Sequence, residues 1–354
     1  MHIMHVGDAQ GPGRAAVDWY RTPLDREVLK ELTRRSDFRG LLQVCGFLAM
    51  FLATTAGAFM LYRMHAWVAM AAACYVHGML FRFLSQAAAV HELSHGTAFR
   101  TRSLNEFFYR LFCFLTWNNP VHFRASHMLH HQFTVIRGVD KEIVQGPVAE
   151  KLNWMNLVFW FTVDVPAFLR FFGTNFLHAA GDGDADVFHW DPLFPEGDPR
   201  RAQMIRWARL MLVGHAACAV VFALLHQWVL IYLLSFGTFV GTFLSRSCVA
   251  LQHTGLSENI PDWRVLCYTV RFGPILRFLY WSMNYHIEHH MFAAVPFYNL
   301  TKLHRLVQFD YPAPQKSFLH GMRNLFAVMK KQKTDPGYVY SPVFPETAKP
   351  VKWR

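Results

Sequence analysis

Two early stretches of this chain are apolar at nearly every position, without the alternation of a half-buried strand or the stripe of a surface helix. Leu41 to Tyr62, LLQVCGFLAMFLATTAGAFMLY, contains no charged residue, and His65 to Val90 carries only Arg82 and two histidines. A helix of about 20 apolar residues crosses the roughly 30 Å hydrocarbon layer of a bilayer. Each stretch is therefore expected to span a membrane, with a turn around Arg63 and Met64 between them. The pattern returns later, where Ala208 to Leu225 rises to the break His226-Gln227-Trp228 and Trp228 to Leu251 comes back. The reading is an all-α integral membrane protein, its four transmembrane helices (about 41–62, 65–90, 208–225 and 228–251) forming two hairpins.

The remaining segments are mixed in polarity. Between the hairpins, the apolar runs Phe107 to Trp117 and Leu152 to Phe172 are interrupted by Arg110, Asp164, Pro166 and Arg170. They read as helices lying in the membrane interface or against the bundle. GDGDADVFHWDPLFPEGDPRR should be an exposed loop, and the tail TDPGYVYSPVFPETAKPVKWR an extended one. Residues 96–207 and 254–354 are thus expected to form a helical cap on one membrane domain that covers 1–354.

Composition agrees with a membrane protein: of 354 residues 53% are hydrophobic and only 17% charged. Most of the 35 Lys and Arg fall outside the hairpin turns. The positive-inside rule then puts both termini, the middle section and any site built from them on the cytoplasmic side. The net charge of +11 suits a face against anionic lipid headgroups. No aromatic-plus-basic nucleic-acid motif accompanies it. The first residues lack the short apolar core of a cleavable signal, so the first span should be retained. The six cysteines are scattered singly without a C-x-x-C pair, and read as small buried hydrophobes in a reducing compartment.

Histidine changes the picture. Eight of the 20 histidines sit in three short windows: His91 and His95 in HELSH, His127, His130 and His131 in SHMLHH, and His286, His289 and His290 in NYHIEHH. Residues three or four apart share a helix face, so each window presents two or three imidazoles to one side. An unpaired polar stripe facing lipid would cost several kcal/mol, and a metal ion is its usual partner. His253 stands alone after the fourth span. Histidines 77, 122, 178, 215, 226 and 304 read as ordinary core residues. HELSH also fits the zinc-protease pattern with Glu92 as base, but one zinc uses three protein ligands and would leave most of these rings idle. Two ions with four or five nitrogen ligands each would occupy all of them. Imidazole does not choose among zinc, copper, iron and nickel.

H-x-x-x-H, H-x-x-H-H and H-x-x-H-H, in that order around two hairpins, are similar to the histidine boxes of the membrane fatty acid desaturase and hydroxylase superfamily. The flanks HELSHGTAF, HMLHHQFTVIRGVDKEI and MNYHIEHHMFAAVPFYNLTKLH resemble the sphingolipid desaturases and their bacterial fatty acyl relatives. The resemblance implies two iron ions held by His91, His95, His127, His130, His131, His253, His286, His289 and His290. Glu92, Asp140, Asn284 and Glu288 then become candidates for orienting the ligand rings from behind. Some members carry an asparagine four residues before the extra histidine to hold a metal-bound water; here that position is Val249.

The implied activity is oxidation of an unactivated C–H bond in a lipid or other apolar substrate with O2. It yields a double bond or, on the same site, an alcohol. No haem, flavin, dinucleotide or iron–sulfur motif occurs in the chain. Electrons are therefore expected from a separate ferredoxin or cytochrome with its reductase. Two rival classes are an intramembrane zinc metalloprotease, which explains one box only, and a metal transporter, which would need polar residues lining the spans.

Overall fold

The structure is a computed structural model that describes residues 17–143, 146–186 and 193–351. Among the described residues it is helical without strands; three isolated bridges, Val163 with Val240, Thr269 with Tyr285 and Val270 with Gln315, are its only β pairings. The helices before the middle section are α1 Arg26–Leu32, α2 Asp37–Arg63, α3 Trp67–Phe81, α4 Ala89–Ser94, α5 Arg102–Leu115 and α6 Pro120–Phe133. Then follow α7 Val148–Lys151, α8 Trp154–Phe161, α9 Val165–Ala180, α10 Pro199–Leu224 and α11 Trp228–Ile231. The last are α12 Phe243–His253, α13 Trp263–Leu266, α14 Pro274–Leu279, α15 His286–Met291, α16 Leu300–Val307 and α17 Phe318–Gln332.

Among the described residues three helices are long and apolar enough to cross a membrane: α2, the run Trp67–Ser94 that joins α3 to α4 through the tight turn Arg82–Leu84, and α10. Their flanks carry large side chains that face outward, among them Leu52, Met60, Val68, Val213, Val220 and Leu224. Exposed apolar surface of this extent marks a face that meets lipid or another protein, and on helices of this length it suits lipid. Two of these helices begin before their apolar cores. Ser36 caps α2 by accepting from the Arg39 N–H, and Asp198 followed by Pro199 starts α10. At the two hairpin turns His65 and His226 adopt φ of 54°.

The expected fourth span, 228–251, is not one helix. The apolar helical run covers Trp228–Phe239 only. At 1.5 Å per residue it is about 18 Å long, short of a bilayer. It widens into a π-helical turn at Tyr232–Phe236, tightens at Gly237–Phe239 and stops at Val240, which is extended. The reason lies in its neighbours. Gly78 packs α3 so closely here that a Cβ would stand 2.7 Å from the carbonyl oxygens of both Gly237 and Val240. Gly241, at φ 62°, donates to the Thr162 carbonyl (2.9 Å), and the Phe239 carbonyl accepts from the Asp164 N–H (2.7 Å). The turn between α8 and α9 is thus wedged into the fourth leg, and α12 restarts beyond it.

The middle apolar runs form α5, α8 and α9, the last pair separated where Asp164 caps α9. The Gly- and Asp-rich loop lies partly outside the described residues, and its DPRR end belongs to α10. Under the histidine windows a core of Leu93, Phe112, Trp281, Ile287 and Met291 is fully buried. Buried Arg264 ties three distant segments together, donating to Asp262 (2.7 Å), Asp310 (2.7 Å) and the Lys349 carbonyl (3.1 Å). Truncating such a charge leaves its partners buried and unpaired, which costs about 3–5 kcal/mol.

Candidate metal centre

The first histidine window lies on α4 and its C-cap, the second on α6, the third on α15, and His253 ends α12. Their rings meet. His91, His95, His127, His131 and His289 present ligand nitrogens that lie within 4.8 Å of one another, and His130, His253 and His290 form a second such group. His286 joins the second group, its Nε2 standing 2.9 Å from that of His253 and 3.1 Å from that of His290. In the first group the Nε2 atoms of His91 and His289 approach to 3.0 Å, and those of His95 and His127 to 3.1 Å.

What the outer ring nitrogens touch fixes which way the inner ones face chemically. The His127 Nδ1–H donates to Glu142 (3.0 Å), the His130 Nδ1–H to Asp140 (2.8 Å) and the His253 Nδ1–H to the Leu266 carbonyl (2.9 Å). For His290 the partner is the Thr134 hydroxyl, 3.2 Å away. That hydroxyl spends its one proton on the His130 carbonyl (2.9 Å) and accepts from the Trp263 indole (3.1 Å), so His290 must be the donor. Four rings therefore hold their proton on Nδ1 and aim an Nε2 lone pair inward. Lone pairs converging from several neutral imidazoles repel unless a cation lies among them, and nitrogen donors of this softness suit a transition metal. The donor set fits a metal pair.

Burial has the same sense. It holds the pKa values of His127, His131, His289 and His290 well below the ordinary imidazole range, so these rings are neutral and free to ligate. Burial also opposes charge on His130, but the Asp140 carboxylate outweighs it and raises that pKa. Burial pushes the Glu142 carboxyl up to about 7.

Asp140 is fixed by the backbone. Val135, just past α6, sits at φ 54°, a region a β-branched residue seldom enters. Its N–H donates to the same Asp140 oxygen that takes the His130 proton (2.8 Å each), while the other oxygen accepts from the Glu142 N–H (3.0 Å). Glu92 is fully buried and accepts from the Thr97 hydroxyl and the Phe297 N–H, both at 3.1 Å. Its second oxygen is 3.8 Å from His289 Nδ1. Two other candidate carboxylate or amide residues point elsewhere. Glu288 accepts from the Thr269 hydroxyl (2.6 Å) and from His304, and Asn284 donates to the Val270 carbonyl (2.7 Å). His304 is thus a hydrogen-bond partner of Glu288. His77 and His215 are satisfied in the bundle by backbone and hydroxyl groups, while His226 is exposed at its turn.

Glu142 was not singled out from the sequence. Its signal was its place two residues after Asp140, in a turn where no helical period marks it. Val249 lines a cavity of about 470 Å³ that reaches His91, His127, His130 and His253. A separate hollow of about 1020 Å³ touches His131 and His290.

Comparison with known proteins agrees with the histidine pattern. The family of fatty acid desaturases matches residues 65–320, which contain all nine clustered histidines. A sphingolipid delta(4)-desaturase DES1-like protein of Oryza sativa subsp. japonica is 25% identical over 282 residues, covering 78% of this chain and 75% of its own length. With histidine windows and family match covering the same stretch, the chain belongs to the fatty acid desaturase family, a family of oxidoreductases.

Proposed function

We propose that this protein is a membrane di-iron oxidoreductase that uses O2 and external electrons to desaturate the alkyl or acyl chain of a lipid-like substrate. The observation that carries the reading is the set of inward lone pairs, fixed by outward hydrogen bonds from His127, His130, His253 and His290. His91, His95, His127, His131 and His289 would hold one ion, and His130, His253, His286 and His290 the other. When bound, the iron pair supplies the power to activate O2 and remove hydrogen from an unactivated C–H bond.

The chain's own residues do the rest. Glu142 and Asp140 keep their rings in the ligating tautomer and orientation, as carboxylates behind metal-bound histidines do. Phe159, Trp160, Phe171 and Val249 give the 470 Å³ cavity an apolar wall beside four of the imidazoles. Hydrocarbon held there excludes water, and each buried CH₂ contributes about 0.8 kcal/mol. The substrate named for the rice relative is a sphingolipid; at this identity the class carried over is lipid-like.

We read the whole chain as one membrane domain with both termini and the metal centre on the cytoplasmic side. There the basic surface, with a net charge of +11, would receive an acidic ferredoxin or cytochrome. The test is purification with metal analysis, then co-expression with a ferredoxin and its reductase and lipid profiling by mass spectrometry. Two iron per chain and a substrate lighter by two hydrogens are expected. A single zinc, or turnover on NADH without a donor protein, would overturn the reading; a product gaining one oxygen would make it a hydroxylase.

A further inference from the structure

The 470 Å³ cavity beside the imidazoles is not uniformly apolar. Arg82 lines it and is 2% exposed; its Nε is buried without a hydrogen-bond partner, and among the described residues no hydrogen bond or ion pair holds its guanidinium, which lies 5.9 Å from the centre of the Phe171 ring. Arg170 and Arg246 line the same cavity. The carboxylate beside them, Asp164, is already engaged, accepting from Arg246 Nε (3.0 Å) and a terminal guanidinium nitrogen (2.7 Å) and from the Thr242 hydroxyl (3.1 Å). Three guanidinium groups thus share one carboxylate. The other lining charges, Lys141 and Lys151 against Glu142 and Glu150, do not reverse that excess. The larger hollow differs, since its Arg110 and Arg124 face Glu106, its Arg200 faces Asp198, and its remaining arginine, Arg21, is exposed to solvent and not buried.

A buried guanidinium with no carboxylate of its own, only a share of one already bonded to another arginine, is strongly disfavoured. Positioned next to a reactive centre, it is the usual means of holding a carboxylate or phosphate, because its planar fork matches their oxygens. Lipid phosphates of the bilayer offer the same chemistry, but at 2% exposure Arg82 is reached only by a group that enters the cavity.

We propose that the substrate carries an anionic group, a carboxylate or a phosphate, which Arg82 binds together with Arg170 and Arg246 while the adjoining hydrocarbon lies over Phe159, Trp160 and Val249. This rests on the desaturase reading of the imidazole site and narrows its substrate to an anionic lipid. Bound in this way, the charged end and the carbon attacked share one cavity.

The experiment measures binding, not turnover. The full chain in phosphatidylcholine nanodiscs is titrated with a brominated fatty acid, its methyl ester and a brominated lysophosphatidic acid at matched mole fractions. Quenching of Trp160 is isolated by subtracting the Trp160→Phe protein. At least one anion should half-saturate at a concentration ten-fold or more below the ester, and the tighter anion names the source. Arg82→Gln should reduce that preference to two-fold or less and Arg82→Lys should recover part of it. Arg170→Gln, at an exposed position, should narrow it without changing the melting temperature. Equal binding of both anions and the ester by the unmodified chain would overturn the proposal. So would an unchanged preference in Arg82→Gln and Arg170→Gln proteins that melt like the unmodified chain. A protein that prefers the anion yet holds no iron would sink the desaturase reading alone; one that desaturates neutral lipid without preference would sink this inference alone.

Discussion

The two groups of imidazoles are built by the same rule and come out unequal. In each H-x-x-H-H triplet the residues four apart go to one group and the third ring to the other: His127 and His131 against His130, and His286 and His290 against His289. The larger group thus takes a pair from α4 with its cap, a pair from α6 and a single ring from α15. The smaller takes a pair from α15, a single ring from α6 and, in place of a second pair, His253 alone. Their supports differ too, with Glu142 and nearby Glu92 behind the larger group and Asp140, a backbone carbonyl and a hydroxyl behind the smaller. The lesson is that the smaller group has less redundancy and depends more on each member.

The sharpest test of that asymmetry removes one ring from each. His253→Ala leaves three rings in its group and should lower iron content towards one per chain, with activity falling by more than about 100-fold. His95→Ala leaves four and should keep iron nearer two; equal iron loss in both, measured by plasma emission, would break the comparison. Next come the carboxylates. Asp140→Asn disturbs a group that also holds the Val135 and Glu142 backbone, and should cost about 100-fold in activity or metal affinity, against about 10-fold for Glu142→Gln. The reverse order in a chelator competition would mean that the larger group is the fragile one. A smaller effect is expected of Thr134→Val, which strands the His290 and Trp263 donors. It should lower stability by about 1–3 kcal/mol in thermal melting, with a modest iron loss confined to one site. Least affected should be iron content in Glu288→Gln, since among the described residues that carboxylate hydrogen-bonds Thr269 and His304 and none of the nine clustered rings; a loss of one iron there would extend the smaller group to it.

Most of the site was legible because its chemistry is periodic. Histidines three and four apart on short helices announce a shared face, and three such windows around apolar hairpins announce convergence. Four features were not legible, each because it depends on how distant segments meet. The division of nine rings into five and four requires knowing how α6 and α15 face each other. Glu142 lies in an aperiodic turn whose shape is set by Val135. The fourth leg reads as continuous by composition, yet the closeness of Gly78 and the wedged turn at Asp164 end it at Phe239. Arg82 is the sole full charge in the second apolar run, but that its buried Nε has no hydrogen-bond partner is visible only in three dimensions.

Adjacent rings that serve opposite centres make α6 and α15 intolerant of insertion in a way the rest of the molecule is not. One added residue within either triplet turns everything beyond it by about 100° and would deal the remaining rings to the wrong group, while the same residue added between the windows would leave each triplet's own spacing intact. Length variation among relatives, and any engineered lengthening, should therefore collect between the windows and never inside them.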